Sequence, residues 1–379
     1  MIYAAAVLLL LQLIQVLILF RGYRRTRHLP SETPLRETWP RVSILIPARD
    51  EEAEIEQALR SVLALDYPDR EIVVIDDRST DATGPILARL SAEHPELKVV
   101  TVETLPAGWI GKNHALHVGA QSSTGELLLF TDADVSYSPA ALRKAVSALE
   151  DDRLDHLTIG PRMWSRSLWV GLLIGFFGRA FTVFFRPWEA IDPRSKCYVG
   201  LGAFNLVRRR VYEQLGGHRR IALRPDDDMK LGKIIKEAGF RQDIRHGQEE
   251  MSVPWYPTVG AFVRGLEKNV LAGVDYRVIQ LFFNLMLALM MLFGPWVLLA
   301  LGDWPTRAVA GAALFLSLAS FAVFVRLSGV GPWWAILEPV VGLIFVYTFA
   351  RSVILTKWRG GIYWRDTFYP LEEMRRNEV

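Results

Sequence analysis

An α/β domain built on a mostly parallel sheet, held between an N-terminal apolar helix and a C-terminal apolar block, is the architecture this sequence predicts. Three observations predict it. Strand-like and helix-like segments alternate between residues 41 and 160, and apolar stretches long enough to cross a bilayer stand at both ends. In addition, 51% of the 379 residues are hydrophobic and the mean hydropathy is positive. Alternation of this kind implies βαβ units joined by right-handed crossovers.

Residues 2–20 carry no charge, and a run of that length crosses about 30 Å of hydrocarbon. No basic residue precedes the run and no small-residue cleavage site follows it. It therefore reads as a retained anchor (1–21) and not as a removable signal peptide. A basic linker marked by Pro30, Pro34 and Pro40 occupies 22–40, and Arg21, Arg24, Arg25 and Arg27 place the following chain in the cytoplasm. Within the soluble domain (41–275), β-branched and apolar runs at 42–46, 72–75, 97–102 and 127–131 read as strands. Segments 51–64, 81–90 and 112–121 read as the helices between them.

Residues 168–185 are long and apolar, carry Arg179, and are flanked by Arg166 and Arg186. A full crossing there would put the acids at 226–228 on the opposite side of the membrane from Asp132 and Asp134. The segment 164–190 is therefore expected to lie in the interface with its basic residues at headgroup depth; the alternative is a true span and no shared site. Three further stretches, 278–301, 308–325 and 333–355, form a C-terminal membrane block (276–356) before a tail (357–379). One span before the domain and three after it would leave Lys357, Arg359, Arg365, Arg375 and Arg376 outside, against the positive-inside rule. Charge favours a cytoplasmic tail, with one C-terminal segment re-entrant or interfacial; otherwise the rule fails here.

Five segments carry chemistry. Asp132-Ala133-Asp134 ends a buried strand and sets two carboxylates at the sheet's carboxyl edge, where open α/β sheets bind ligands. Hard oxygen donors there suit Mg²⁺ or Mn²⁺ beside a diphosphate, while an exposed acidic turn is the bland alternative. Pro47-Ala48-Arg49-Asp50-Glu51 brings charge to the same edge, or caps a helix. Asp76-Asp77 ends the second strand, where a carboxylate accepts a uracil N–H or a ribose hydroxyl; Ser79 reads as a turn residue. Gly108-Trp109-Ile110-Gly111-Lys112-Asn113 opens a helix whose N-terminus and Lys112 favour a phosphate, without the glycine spacing of a Walker loop. Asp226-Asp227-Asp228 opens a later helix, and one of these acids can take an acceptor's proton. A helix cap would need one Asp, not three.

In this order, VSILIPARDEE, EIVVIDDRSTDAT, GKNHAL, the DAD triplet and DDDMKLG resemble the inverting glycosyltransferases of family 2, over roughly residues 41–275. The resemblance implies the GT-A fold, a nucleotide-sugar-binding, Rossmann-like sheet. The anchor, the GWIGK loop and the C-terminal block resemble the branch that glycosylates membrane lipids, including ceramide glucosyltransferases and hopanoid- and carotenoid-associated transferases. By that resemblance Ala48, Asp50 and Asp77 line the nucleoside site, and Lys112 lies on the diphosphate side. Asp132 and Asp134 match the metal triplet, Asp134 as the direct ligand, and Asp132 also belongs to the donor site. Asp228 is the expected general base, with Asp227 as fallback. The sequence departs from the family where many membrane members carry Gln-x-x-Arg-Trp: here Glu267-Lys268-Asn269 offers Lys268 for the diphosphate and no following tryptophan.

The expected activity is transfer of a sugar, with a UDP-sugar the first candidate donor, to a lipid hydroxyl at the cytoplasmic face of the inner membrane, assisted by Mg²⁺ or Mn²⁺. The expected partners are the donor, the lipid and the bilayer. Transfer to a polyprenyl phosphate is the second enzymatic reading. A transporter or nucleotide-sugar binder is the non-enzymatic one, though transporters carry their charged groups within spans. Net charge of +3 gives no ground for nucleic acid, and the lone Cys197 excludes an internal disulfide. Trp255 and Tyr256 read as packing residues in preference to a sugar platform.

Overall fold

A computed structural model describes residues 1–33 and 36–377; the linker residues Pro34 and Leu35, and Glu378 and Val379 of the tail, lie outside it. The chain divides into two compact units. One comprises Thr26–Arg162 and Pro187–Pro254 and takes in the chain end from Arg376; the other comprises Met1–Arg25, Met163–Arg186 and Trp255–Arg375.

The first unit is the α/β domain. Its large sheet contains β1 (Val42–Ala48), β2 (Arg70–Asp77), β3 (Leu97–Val102), β4 (Leu127–Phe130), β5 (His156–Gly160), β6 (Asn205–Arg208) and β7 (Gln242–His246). The order across the sheet is β7-β5-β6-β4-β1-β2-β3, with the short strand Arg27–His28 outside β7. Only β6 runs antiparallel to its neighbours. Strand β1 sits between β2 and β4 and is covered on both faces, which is why it reads as a continuous apolar run and not as an alternating one. Val42, Ile44 and Ile46 pack in one core layer and Leu45 in the other. Each such side chain contributes about 1.5–3 kcal/mol through burial.

Helices α2 (Ile55–Leu63), α3 (Thr83–Glu93), α4 (Gly111–Gln121), α5 (Ala141–Asp151) and α7 (Asp227–Glu237) cover the sheet. Helix α2 begins four residues later than expected, because the chain ahead of it is tied elsewhere. Glu51 N–H donates to Thr83 Oγ1 (2.8 Å) and Glu52 N–H to Asp81 Oδ2 (3.1 Å). Those bonds lace the loops after β1 and β2 together in place of a first helical turn.

The second unit is helical: α1 (Ile2–Arg25), α6 (Leu168–Phe185), α8 (Val259–Glu267), α9 (Val278–Leu301), α10 (Trp304–Leu327) and α11 (Glu338–Arg359), followed by a hairpin of Gly361–Trp364 and Thr367–Pro370. Five of its helical segments are long and apolar enough to cross a membrane. Arg179 of α6 is buried, paired with Glu338 of α11 and donating to Ser317 O of α10 at 3.1 Å. Trp255 packs against Phe177 and Phe262 at ring separations of 5.0 and 5.4 Å, as a packing residue does. The expected stretch at 333–355 is not one helix. A 3-10 turn at Pro332–Leu337 precedes α11, and Pro339 sits in the first turn of α11, a position proline favours.

Strands on either side of α6 share the one sheet: β6 lies between β4 and β5. The segments carrying Asp132, Asp134 and 226–228 therefore belong to one folded unit.

Candidate functional site

Strands β2, β1 and β4 are adjacent and parallel, so the segments that follow them emerge at one edge. Ala48 stands opposite Asp76 at that edge and is buried. Asp50 accepts at Oδ1 from Thr80 N (2.7 Å) and Thr80 Oγ1 (3.2 Å), which holds its carboxyl below the usual range. It clamps two loops and does not cap α2. Asp77 is buried against Arg78, whose Nε and Nη2 reach its two oxygens at 2.8 and 2.9 Å. Asp76 Oδ1 accepts from Ser79 N–H at 3.1 Å, so Ser79 closes a turn as expected.

The acids of the Asp132-Ala133-Asp134 triplet and of the 226–228 run converge on Lys112. Its ammonium lies 2.7 Å from Asp132 Oδ1 and 3.6 Å from Asp227 Oδ1. Burial alone would lower the Lys112 pKa, but Asp132, Asp227 and Asp228 together raise it, so the lysine stays charged. Asn113, the next residue, is fully buried and donates from Nδ2 to the carbonyls of Ile221 (2.8 Å), Ala222 (3.2 Å) and Arg224 (2.9 Å). One dipeptide thus carries the cation to the acids and fastens the loop that leads to them. Trp109 turns elsewhere and stacks on His117 with centroids 5.0 Å apart, beside a cavity of about 510 Å³ lined also by His114 and Arg219.

The triple acid divides its labour. Asp226 is held by Arg224, Nε to Oδ1 at 2.9 Å and Nη2 to Oδ2 at 3.1 Å, both residues buried. Asp227 faces Lys112. Asp228 accepts from Gly202 N–H at Oδ2 (2.8 Å) and from Met229 N–H at Oδ1 (2.7 Å). Burial raises its pKa against the opposing pull of Lys112 and these N–H groups, the direction a proton acceptor working near neutrality needs.

Sequence reasoning did not single out the loop Val199-Gly200-Leu201-Gly202-Ala203. Gly202 O accepts from Asp132 N–H at 3.1 Å while Gly202 N–H holds Asp228, so this residue bridges the two acidic motifs. A Cβ on Gly202 would stand 2.6 Å from Asp132 Oδ2 and 3.3 Å from Lys112 Nζ, and one on Gly200 would collide with the carbonyl of Asp228. The closely spaced glycines were the available signal.

The residues suit a divalent cation. Asp134 Oδ1 is buried and has no hydrogen-bond partner among the described residues, an arrangement proteins rarely leave without a role. Burial, then the charges of Asp132 and Glu51, push its pKa up to about 7. No cluster of three His, Cys, Asp or Glu at metal spacing occurs among the described residues. Asp132 and Asp134 would thus be the protein's share of a shell completed by phosphate and water, as Mg²⁺ sites commonly are. Lys268 belongs to the helical unit, where its ammonium stands 3.6 Å from the Trp364 ring centroid.

Residues 43–216 match the family described as Glycosyl transferase family 2. The chain is 32% identical over 218 residues to "Probable glycosyltransferase YdaM" of Bacillus subtilis, covering 56% of this chain and 51% of that one. To a beta-monoglucosyldiacylglycerol synthase of Nostoc sp. it is 34% identical over 134 residues, 35% of this chain and 28% of the other. To a 4,4'-diaponeurosporenoate glycosyltransferase of Staphylococcus haemolyticus it is 35% identical over 258 residues, 63% of each. The chain spans between 28% and 63% of the length of these relatives. Among solved structures, the mannosyltransferase PcManGT of Pyrobaculum calidifontis, in complex with GDP-Man and Mn²⁺, aligns with a TM-score of 0.52 and 21% identity over 94% of this chain and 97% of that one. That likeness is one of fold, the GT-A architecture.

Proposed function

We propose that this chain, whose residues 43–216 form a glycosyl transferase family 2 domain, moves a sugar from a nucleotide-sugar donor to a hydroxyl of a membrane lipid, inverting the anomeric centre. The observation that carries the reading is the convergence of Asp132 and Asp227 on Lys112, with Asp228 tied to Asp132 through Gly202. Relatives named for a glucosyldiacylglycerol and a carotenoid acid support a lipid acceptor.

In this reading Ala48, Asp50 and Asp77 receive the nucleoside at the edge of β1 and β2, and Asp77 exchanges one Arg78 contact for the base or ribose. Lys112 offsets the acids and orients the diphosphate. Asp132 and Asp134 would hold Mg²⁺ or Mn²⁺, which when bound supplies Lewis-acid stabilisation of the leaving diphosphate. Asp228 is fixed by two backbone N–H groups with lone pairs to spare, and it takes the acceptor's proton as the new C–O bond forms; Asp227 is the fallback. Lys268 remains a donor contact by resemblance, and its aromatic neighbour comes from the hairpin instead of the next residue.

The helical unit anchors the domain in the inner membrane with the domain cytoplasmic, as Arg21, Arg24 and Arg25 favour. Helix α6 enters the membrane from the domain side and does not cross it. The two segments it joins belong to one sheet, which supports a path that does not cross.

A donor screen on detergent-purified protein tests this. UDP-, GDP- and dTDP-sugars are supplied with Mn²⁺ or Mg²⁺, with and without a total lipid extract, and nucleoside diphosphate release is recorded. Release that requires metal, rises with lipid and is lost in Asp134→Ala is the expected result. No release and no donor binding would move the weight to a non-catalytic role.

A further inference from the structure

If α9, α10 and α11 each crossed the bilayer, the chain would end on the far side from Pro254. It does not end there. Asn377 belongs to the soluble unit: its Oδ1 accepts from Leu223 N–H at 2.9 Å and its Nδ2 donates to Arg220 O at 2.9 Å. A segment that leaves one folded unit at Pro254 and rejoins it at Arg376 crosses a membrane an even number of times.

Contacts within the helical unit identify the helix that does not cross. Helices α9 and α10 are joined by the tight Gly302-Asp303 link and pack on each other, so they run in opposite directions. At the start of α11, Glu338 Oε1 accepts from Ser317 Oγ of α10 at 2.9 Å. Seven residues further along α11, Phe345 meets Phe176 at 5.0 Å, and the same Phe176 meets Phe321 of α10 at 6.0 Å. Moving down α11 thus moves down α10, and the two helices point the same way. Against α9 the order is reversed. Gly342 abuts Leu292, while Ser352 Oγ (2.6 Å, to the carbonyl) and Arg359 Nη1 (2.8 Å, to the carboxylate) reach Glu267, which precedes α9.

Two consecutive helices that point the same way need a connection that climbs back. From Leu327 to the level of Ser317 that climb is about 15 Å at 1.5 Å per helical residue, roughly half the hydrocarbon thickness. We propose that residues 328–359 form a re-entrant hairpin: 328–337 rise from the domain-side face to mid-bilayer, and α11 descends to the same face. The apex is pinned by Glu338, which meets Arg179 and Ser317. A carboxylate at that depth persists because it is paired. Lys357, Arg359, Arg365 and Arg375 then stand on the domain side, as the positive-inside rule requires. The inference rests on the membrane placement of the helical unit proposed above.

Single cysteines in a Cys197→Ser background, probed with a membrane-impermeant maleimide, test it. Trp304→Cys, at the α9–α10 turn where the native side chain is 80% exposed, should label in intact cells. Glu373→Cys, exposed beyond the hairpin, should label only after permeabilisation. Trp333→Cys, near the apex and 74% exposed in the native chain, should resist the impermeant reagent from both sides and react with an apolar maleimide. Labelling of both Trp304→Cys and Glu373→Cys in intact cells would make α11 a full crossing and overturn the proposal. Rapid impermeant labelling of Trp333→Cys after permeabilisation would overturn the dip. A Trp304→Cys silent from outside would remove the membrane placement itself, and the hairpin with it.

Discussion

Replacing Asp134 by asparagine removes a charge from the site while keeping its shape. Burial, with Asp132 and Glu51 nearby, pushes the Asp134 carboxyl up to about 7, from about 3.9 in an unfolded chain. Between those values the folded protein holds a proton that the unfolded chain has released. Wild-type stability therefore falls as pH rises through that window, and the whole cost is present above pH ~7. At about 1.4 kcal/mol per pK unit the cost is about 4 kcal/mol at pH 8 and about 2 kcal/mol at pH 5. Solvent at the half-buried carboxyl brings these to about 2 and about 1 kcal/mol. Asparagine carries no such cost. Metal-free Asp134→Asn in EDTA should therefore melt several degrees above wild type at pH 8, taking about 2–4 °C per kcal/mol, with a smaller gap at pH 5. Saturating Mn²⁺ should reverse the order by stabilising wild type alone. An asparagine variant that melts below wild type at pH 8 without metal would refute the reasoning.

Asp228→Asn should lower turnover by about 10²–10⁴ with donor Kd unchanged; unaltered turnover would point to an acceptor already ionised, such as a polyprenyl phosphate. Gly202→Ala puts a Cβ 2.6 Å from Asp132 Oδ2, and a displacement on the order of 1 Å there should cost about 10² in kcat/KM; wild-type kinetics would show the bridging loop to be passive. Glu338→Leu strands the buried Arg179 and should cost about 3–5 kcal/mol, seen as a fall in Tm. Adding Arg179→Leu should recover most of that loss, and a double variant no more stable than the single would contradict the pairing.

What the sequence made legible follows from how locally each feature is determined. Strands β1 and β4 are readable because a strand buried on both faces must be apolar throughout. The DAD and DDD runs are readable because carboxylates at a strand end or helix start are conspicuous. The division of the triple acid was not readable, since Asp226 differs from Asp227 only in having Arg224 two residues before it. Gly202 was missed because its role exists only when β4, the loop before β6 and the start of α7 meet. The late start of α2 has the same origin: Glu51 and Glu52 look helical alone, but hydrogen bonds to Thr83 and Asp81 compete successfully. No tryptophan follows Lys268 in sequence, yet its ammonium stands over the ring of Trp364, which the distant hairpin supplies. In the last apolar stretch, Pro332 and Pro339 marked a break that hydropathy averaging hides.

The central claim is sugar transfer to a lipid with inversion, and the product tests it most directly. With the donor identified by the screen and labelled in its sugar, the account predicts label in the organic phase on a lipid hydroxyl. Its anomeric configuration should be opposite to the donor's, and the product should form about 10²–10⁴-fold more slowly in Asp228→Asn. Label released only as free sugar into water, or a lipid product that keeps the donor's configuration, would contradict it.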